Sequence, residues 1–205
     1  MPASIAAVLA GADEIVVADG GSSDDTEAVA RSFGACVVPA PRGRGSQLAS
    51  GIAVARGPWL LLLHADTRLA DGWREAAAPH ISARPDVAGY FRFALDSADP
   101  RARRLERLVA WRCRALALPY GDQGLLIHQN LLARVGGIRP LPLMEDVDLV
   151  RRLGCRQLAP LDSAAVTSAA KWERGGWRRR SLRNLFCLGL HLAGVPPGLI
   201  ARLYA

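Results

Sequence analysis

No Cys-x-x-Cys pair occurs among the four cysteines, Cys36, Cys113, Cys155 and Cys187, so neither a zinc cluster nor a dithiol redox motif is indicated. Their wide spacing, without a secretion signal, reads as reduced thiols in a cytoplasmic protein. Met1 to Gly11 has no basic region and is too short for a leader peptide. No stretch approaches the roughly 18 consecutive apolar residues of a spanning helix. The chain is therefore expected to be soluble, or at most to lie on the inner face of a membrane. Internal repeats, low-complexity tracts and linkers are also lacking, which leaves one domain. Lysine is scarce, so most of the basic excess is arginine.

What is present fits one ordinary globular domain: 205 residues, 50% hydrophobic and 22% charged. The formal net charge of +7 points to anionic partners: nucleic acid, an acidic membrane surface or a phosphorylated small molecule. Arginine suits bidentate phosphate contacts, although codon usage in a GC-rich genome would produce the same excess. The basic residues are not interleaved with aromatics and no nucleic-acid reading motif occurs, so no nucleic-acid partner is expected.

The hydrophobic pattern predicts strands at 14–18, 35–38 and 59–63, separated by helices at about 24–34 and 46–55. Buried parallel strands read as short apolar runs of this kind. The alternation marks a doubly wound α/β sheet, in which ligands bind beyond the carboxyl ends of the strands. Two acidic turns fall there, Asp19-Gly20-Gly21-Ser22 and His64-Ala65-Asp66. Further on, the pattern predicts a helix at 72–83, a strand at 88–95, a basic helix at 100–118 and a short strand reaching 127. Helices ending at Gly136-Gly137 and running from Met144 to about 153 follow.

In the first turn a carboxylate stands beside glycines that admit a close ligand, and the same turn would also cap the next helix. Asp66, with His64 two residues earlier, can hold Mg²⁺ or Mn²⁺ against a diphosphate, or Asp66 can cap a helix. Glu145 and Asp146 open a helix, where the dipole favours ionised carboxylates and suits a general base. Arg42-Gly-Arg-Gly45 completes neither a P-loop nor a dinucleotide fingerprint, but Arg42 or Arg44 can still meet a phosphate.

Together, residues 14–26, 43–51, 62–67 (Leu-Leu-His-Ala-Asp-Thr) and 144–149 (Met-Glu-Asp-Val-Asp-Leu) resemble the family-2 glycosyltransferases of GT-A fold. More narrowly they are similar to a bacterial subgroup with His-Ala-Asp-Thr in place of Asp-x-Asp, a Gly-Asp-Gln-Gly segment and a Lys/Arg-Trp-Glu-Arg motif. The resemblance implies a Rossmann-like, mostly parallel sheet and a hexosyl-type transferase. It would be inverting and metal-dependent, using a nucleoside-diphosphate sugar and Mg²⁺ or Mn²⁺. Asp19, Gly20, Gly21, Ser22, Arg44 and Asp66 would bind the nucleotide sugar, with Asp66 and His64 on the metal. Asp146, with Glu145, would be the base. Asp122, Gln123, Trp172 and Arg174 would face the acceptor and diphosphate. Residues 1–95 would form the nucleotide-sugar half, 96–176 the acceptor and catalytic half, and 177–205 basic amphipathic C-terminal helices.

Relatives begin with a strand and a Pro-x-x-Asn-Glu turn that this sequence lacks. The sheet is therefore expected to miss its first strand, leaving the strand near 15–18 with an unpaired inner edge. The alternative function is a non-catalytic member that binds a nucleotide or a partner. Residues 177–205, basic then apolar, suit a helix lying on an anionic membrane near a lipid-linked acceptor, or one packed on the domain with a solvated basic face.

Overall fold

The computed structural model describes residues 1–204, without the side chain of Tyr204. The chain opens with α1 (Pro2–Leu9), β1 (Val16–Asp19), α2 (Thr26–Ser32), β2 (Cys36–Pro39), α3 (Arg44–Val54) and β3 (Trp59–Leu62). Next come β4 (Thr67–Leu69), α4 (Trp73–Ala83), β5 (Ala88–Leu95), α5 (Pro100–Leu116), β6 (Leu125–His128) and α6 (Gln129–Arg134). The last elements are α7 (Glu145–Leu153), β7 (Leu158–Thr167), α8 (Ala170–Gly175), α9 (Trp177–Leu192) and α10 (Pro197–Tyr204).

The fold is α/β, as the alternation predicts. Five strands form one sheet in the order β3-β6-β5-β7-β4, while β1 and β2 pair in parallel beside it. Among the described residues β1 has no strand partner other than β2, so its second edge is open. In the main sheet β3, β5 and β7 share a direction, and the seven-position β5–β7 ladder is parallel. β6 and β4 run against their neighbours.

The side-chain period of two sets the layers. Leu60 of β3 and Leu125 and Ile127 of β6 point to the core shared with α5, α6 and α7. Leu61 and Leu126 point to the opposite core, together with Val8 of α1, Ala77 of α4 and Phe91 of β5. With both faces covered, β5 is buried at seven of its eight positions, only Arg92 being exposed. β4 and β7 are the strands that the pattern does not predict, β7 being the longer. Its Ala159, Pro160, Ala164 and Ala165 have little intrinsic strand preference, but the β5 ladder on one side and β4 on the other settle its conformation. Pro160 falls where that ladder shifts register between Tyr90 and Arg92, the kind of irregularity that accommodates a proline.

The turns that carry polar groups are tied down from outside the sheet. Ser4 of α1 donates to the carbonyl of Ala65 at 2.8 Å, fixing the turn after β3. Gly45 in the first turn of α3 lies so close to the loop before α7 that a Cβ would stand 2.4 Å from the Arg139 carbonyl. Only glycine allows that approach, which holds the start of α3 against the residues leading into Glu145.

Candidate active site

Strand ends, the starts of α3, α7 and α8, and one face of α9 converge on a pocket of about 100 Å³. Its lining includes Arg44, His64, Asp66, Asp122, Asp146 and Lys171. Asp66 follows β3 and meets Lys171 Nζ at 2.6 Å, with side chains 36% and 46% exposed. Burial alone would raise the Asp66 carboxyl. The hydrogen bond and charge of Lys171, with His64 and Arg44 behind it, outweigh that and hold it below the ordinary value. Lys171 is the only lysine in the sequence, and it sits here.

His64 projects toward the turn at Gly121–Gln123, where a Cβ on Gly121 would lie 2.5 Å from its Nε2. That nitrogen is sealed from solvent and has no hydrogen-bond partner. Burial, then the Arg44 charge, lowers the imidazole's affinity for a proton. Asp146 is held at the same turn, its Oδ2 accepting from Gly121 N and its Oδ1 from Val147 N, both at 2.7 Å.

The two acids beside Asp146 are of another kind. Asp122 Oδ1 is sealed and unpartnered, and burial pushes this carboxyl up to about 6 against the pull of Arg112. Glu145 is fully buried and neither carboxyl oxygen has a partner. Burial, reinforced by the Asp146 charge, pushes it up to about 7. A carboxylate kept ionised by the helix dipole is the expectation for this position, but desolvation wins, because the dipole contributes only about 1 kcal/mol. Met144 enters the left-handed region at φ 66°, and that turn sends Glu145 inward while Asp146 faces the pocket.

A second, open cleft of about 400 Å³ adjoins along the 42–44 loop, lined by Gly20, Gly21, Ser22, Arg42, Gly43 and Gln47. Asp19 lies beneath it. Its Oδ2 accepts from the Gly21 and Ser22 amides at 2.9 Å, and the Ser22 hydroxyl donates to Oδ1. The Ser22 hydroxyl and amide hold the carboxyl below its usual value. Arg42 donates to the carbonyls of Gly20 and Gly21, and Gln47 to that of Ala18. The turn is thus organised by its own acid and braced from α3.

Of the residues singled out from sequence, Arg44, His64, Asp66, Asp122, Asp146 and Trp172 share the main pocket, and Gly20, Gly21 and Ser22 share the cleft. Gln123 does not reach either one. Its amide donates to Phe91 O, while its carbonyl accepts from Arg112 and from Tyr120 N. Arg174 is exposed and bonds the carbonyl of Ala170. Sequence reasoning passed over Tyr120, whose ring lies 3.3 Å beneath the Arg112 guanidinium, and Thr167, whose hydroxyl pairs with that of Thr67 at 2.8 Å. It also passed over Arg180 and Asn184 of α9. Lys171 stood within a recognised motif, and its being the sole lysine was the available signal.

An α/β sheet whose acidic turns gather beyond the strand ends, facing arginine and lysine, is the build of a nucleotide-sugar transferase. The sequence matches glycosyl transferase family 2 over residues 1–141, and the chain belongs to that family. Among solved structures it is similar to glucosyl-3-phosphoglycerate synthase from Mycobacterium tuberculosis in complex with Mn²⁺ and UDP-glucose. That match has 20% identity and a TM-score of 0.57, covering 95% of this chain and 76% of that one. It is also similar to mannosyl-3-phosphoglycerate synthase from Rubrobacter xylanophilus, with 18% identity, TM-score 0.50, and coverage of 82% and 61%. A third is GalNAc-T7 with UDP, GalNAc and Mn²⁺, with 13% identity, TM-score 0.59, and coverage of 80% and 40%. The chain spans 62% of the length of a further solved match, a mycobacterial protein. At these identities the likeness establishes the fold.

Proposed function

We propose that the chain moves a sugar from a nucleoside-diphosphate sugar to an acceptor hydroxyl, with inversion and with help from a divalent cation. The observation that carries this reading is the main pocket, whose lining brings Asp66, Lys171, Arg44 and Asp146 to one space. Residues 1–95 supply the cleft for the nucleoside and the groups for the diphosphate, and residues 96–176 supply the acceptor wall. Arg44 and Lys171 bind diphosphate oxygens. Asp146, fixed by two backbone amides, takes the acceptor's proton as its oxygen attacks the anomeric carbon from the face opposite the diphosphate. The bond to the diphosphate breaks, and its electron pair leaves with the nucleoside diphosphate. Asp122 and Glu145, pushed up to about 6 and about 7 by burial, hold their protons to higher pH than ordinary carboxyls do.

The residues fit Mn²⁺ or Mg²⁺. The unpartnered Nε2 of His64 and the Asp66 carboxylate are a donor pair suited to such an ion. Among the described residues no cluster of three His, Cys, Asp or Glu is placed to hold a metal, so diphosphate oxygens and water would complete the shell. When bound, the ion neutralises charge on the leaving diphosphate. Mn²⁺ and UDP-sugar in the mycobacterial synthase support this ion and donor class. A lipid-linked acceptor met at a membrane is consistent with the surface described below.

A second reading, nucleotide binding without turnover, draws on one observation: the β1–β2 pair beneath the cleft stands apart from the main sheet. Calorimetric titration of UDP and GDP, with and without Mn²⁺, tests the donor site beside Asp66→Ala. The expected result is metal-dependent binding that the variant loses. Nucleotide binding indifferent to both Mn²⁺ and Asp66 would overturn the metal and donor assignment. Release of free sugar from the preferred donor in the absence of acceptor would separate the enzyme from the binding-only reading.

A further inference from the structure

α9 has two faces of different chemistry. Arg180 and Asn184 line the pocket, while Trp177, Cys187 and Leu188 are buried. The outward positions hold Leu182, Leu185, Phe186 and Leu192, each 47% to 66% exposed. Leu185 and Phe186 lie three and four residues after Leu182, and Leu192 lies two turns beyond Leu185, so the four share one stripe. α10 folds back after Gly194 and buries Ile200 against Cys187 and Leu143, leaving Leu199 and Leu203 outside at 50% and 63%.

The charge distribution says what this stripe meets. No acidic residue occurs between Gly175 and Ala205, and exposed Arg178 and Arg179 head the stripe. α5 adjoins, its Arg101 stacking over Trp177 at the start of α9. Together α5, α9 and α10 carry eleven arginines and one acid, Glu106, out of 26 basic and 19 acidic residues in the chain. That leaves fifteen basic against eighteen acidic elsewhere, so the basic excess is concentrated in these helices rather than spread by codon usage. A second copy of this face would bring arginine against arginine, which like-charge repulsion opposes. Nucleic acid would satisfy the arginines and leave bulky aliphatic side chains uncovered. An anionic lipid surface satisfies both. No helix among the described residues is long and apolar enough to cross a membrane, and the 16 residues of α9 are suited to lying in the interface plane.

We propose that the outer face of the α9–α10 hairpin docks on an anionic phospholipid bilayer. Leu182, Leu185, Phe186, Leu192, Leu199 and Leu203 enter the boundary between headgroups and acyl chains, and Arg178 and Arg179 meet lipid phosphates. Because Arg180 and Asn184 line the pocket from the other side of α9, docking brings the pocket within about one helix diameter, roughly 10 Å, of the lipid.

Co-sedimentation with phosphatidylcholine vesicles, with and without phosphatidylglycerol, tests the proposal. Wild type is compared with Leu185→Glu/Phe186→Glu and with Arg178→Glu/Arg179→Glu. All four positions are exposed, so unchanged melting is expected, and a variant that melts early is set aside in favour of the other. The expected result is salt-sensitive binding that requires phosphatidylglycerol and weakens by at least about ten-fold in each variant. Binding indifferent to phosphatidylglycerol, or to the substitutions, would overturn the proposal. So would a solution dimer, seen by light scattering, that Leu185→Glu/Phe186→Glu dissolves. The UDP titration is run without lipid, so failure of the donor reading and failure of this one are separate results.

Discussion

Replacing Glu145 with glutamine should make the protein more stable, by an amount that grows between about pH 4.5 and about pH 7 and then levels off. The unfolded chain releases the Glu145 proton near 4.5, while the buried, unpartnered carboxyl of the native state holds it up to about 7. Below 4.5 both states are protonated and the group costs nothing further. Between 4.5 and about 7 the native state binds the extra proton, so stability falls as pH rises; above 7 the loss is complete. At about 1.4 kcal/mol per unit the displacement amounts to roughly 3 kcal/mol, a large share of a typical domain's stability. Glutamine has nearly the same shape and cannot ionise. Urea unfolding of Glu145→Gln and wild type should therefore nearly coincide below about pH 4 and differ by about 3 kcal/mol in the variant's favour near pH 8. His80 and His191, both held below their usual values by burial, also shift the pH profile. They are common to both proteins and cancel in the difference. Parallel pH profiles, or a variant less stable at pH 8, would refute the assignment of a buried, protonated Glu145.

Asp146→Asn should lower kcat about 10²–10⁴-fold while leaving the affinity for UDP with Mn²⁺ near wild type, as stopped-time product assays and calorimetry would show. Lys171→Met should tighten Mn²⁺ binding without nucleotide by up to about five-fold, the scale of a half-exposed ion pair, yet weaken UDP binding; parallel changes would count against the Lys171–Asp66 contact. Amine-directed acetylation should modify only Lys171 and the α-amine, and UDP with Mn²⁺ should protect Lys171 in peptide mass spectra. Gly45→Ala should cost about 1–3 kcal/mol in urea unfolding, because its Cβ would meet the backbone of Arg139 and Leu141. Hydrogen exchange should be faster in β1–β2 than in β5–β7, a two-stranded pair being marginal, and UDP should slow it.

The first half of the fold was legible because β1, β2 and β3 are short apolar runs bounded by glycine, proline and acidic turns. β4 and β7 were not. β4 spans three residues, and β7 owes its conformation to neighbours far away in sequence rather than to its alanines. The acidic turns and Asp146 could be read as chemistry because strand ends and helix starts are where such groups collect. The opposite fate of Glu145 could not, since one left-handed residue, Met144, decides which of two adjacent acids is sealed away. The α9 contribution was hidden for a similar reason: which face of a helix meets a pocket depends on packing that composition does not record.

The place of β7 between β5 and β4 also bears on when the site comes into being. β4 pairs with a strand about 100 residues later, at Thr67 against Thr167, and the same strand end leads into Lys171. Such distant pairings make closure slow, because a long loop must be ordered before any contact rewards it. A growing chain that has already made Asp19, Asp66 and Asp146 still lacks the strand that braces the turn after β3 and delivers the lysine. The pocket is therefore complete only once β7 has taken its place between β5 and β4. Substitutions that slow that step would lower the yield of active molecules without touching any residue that meets the sugar.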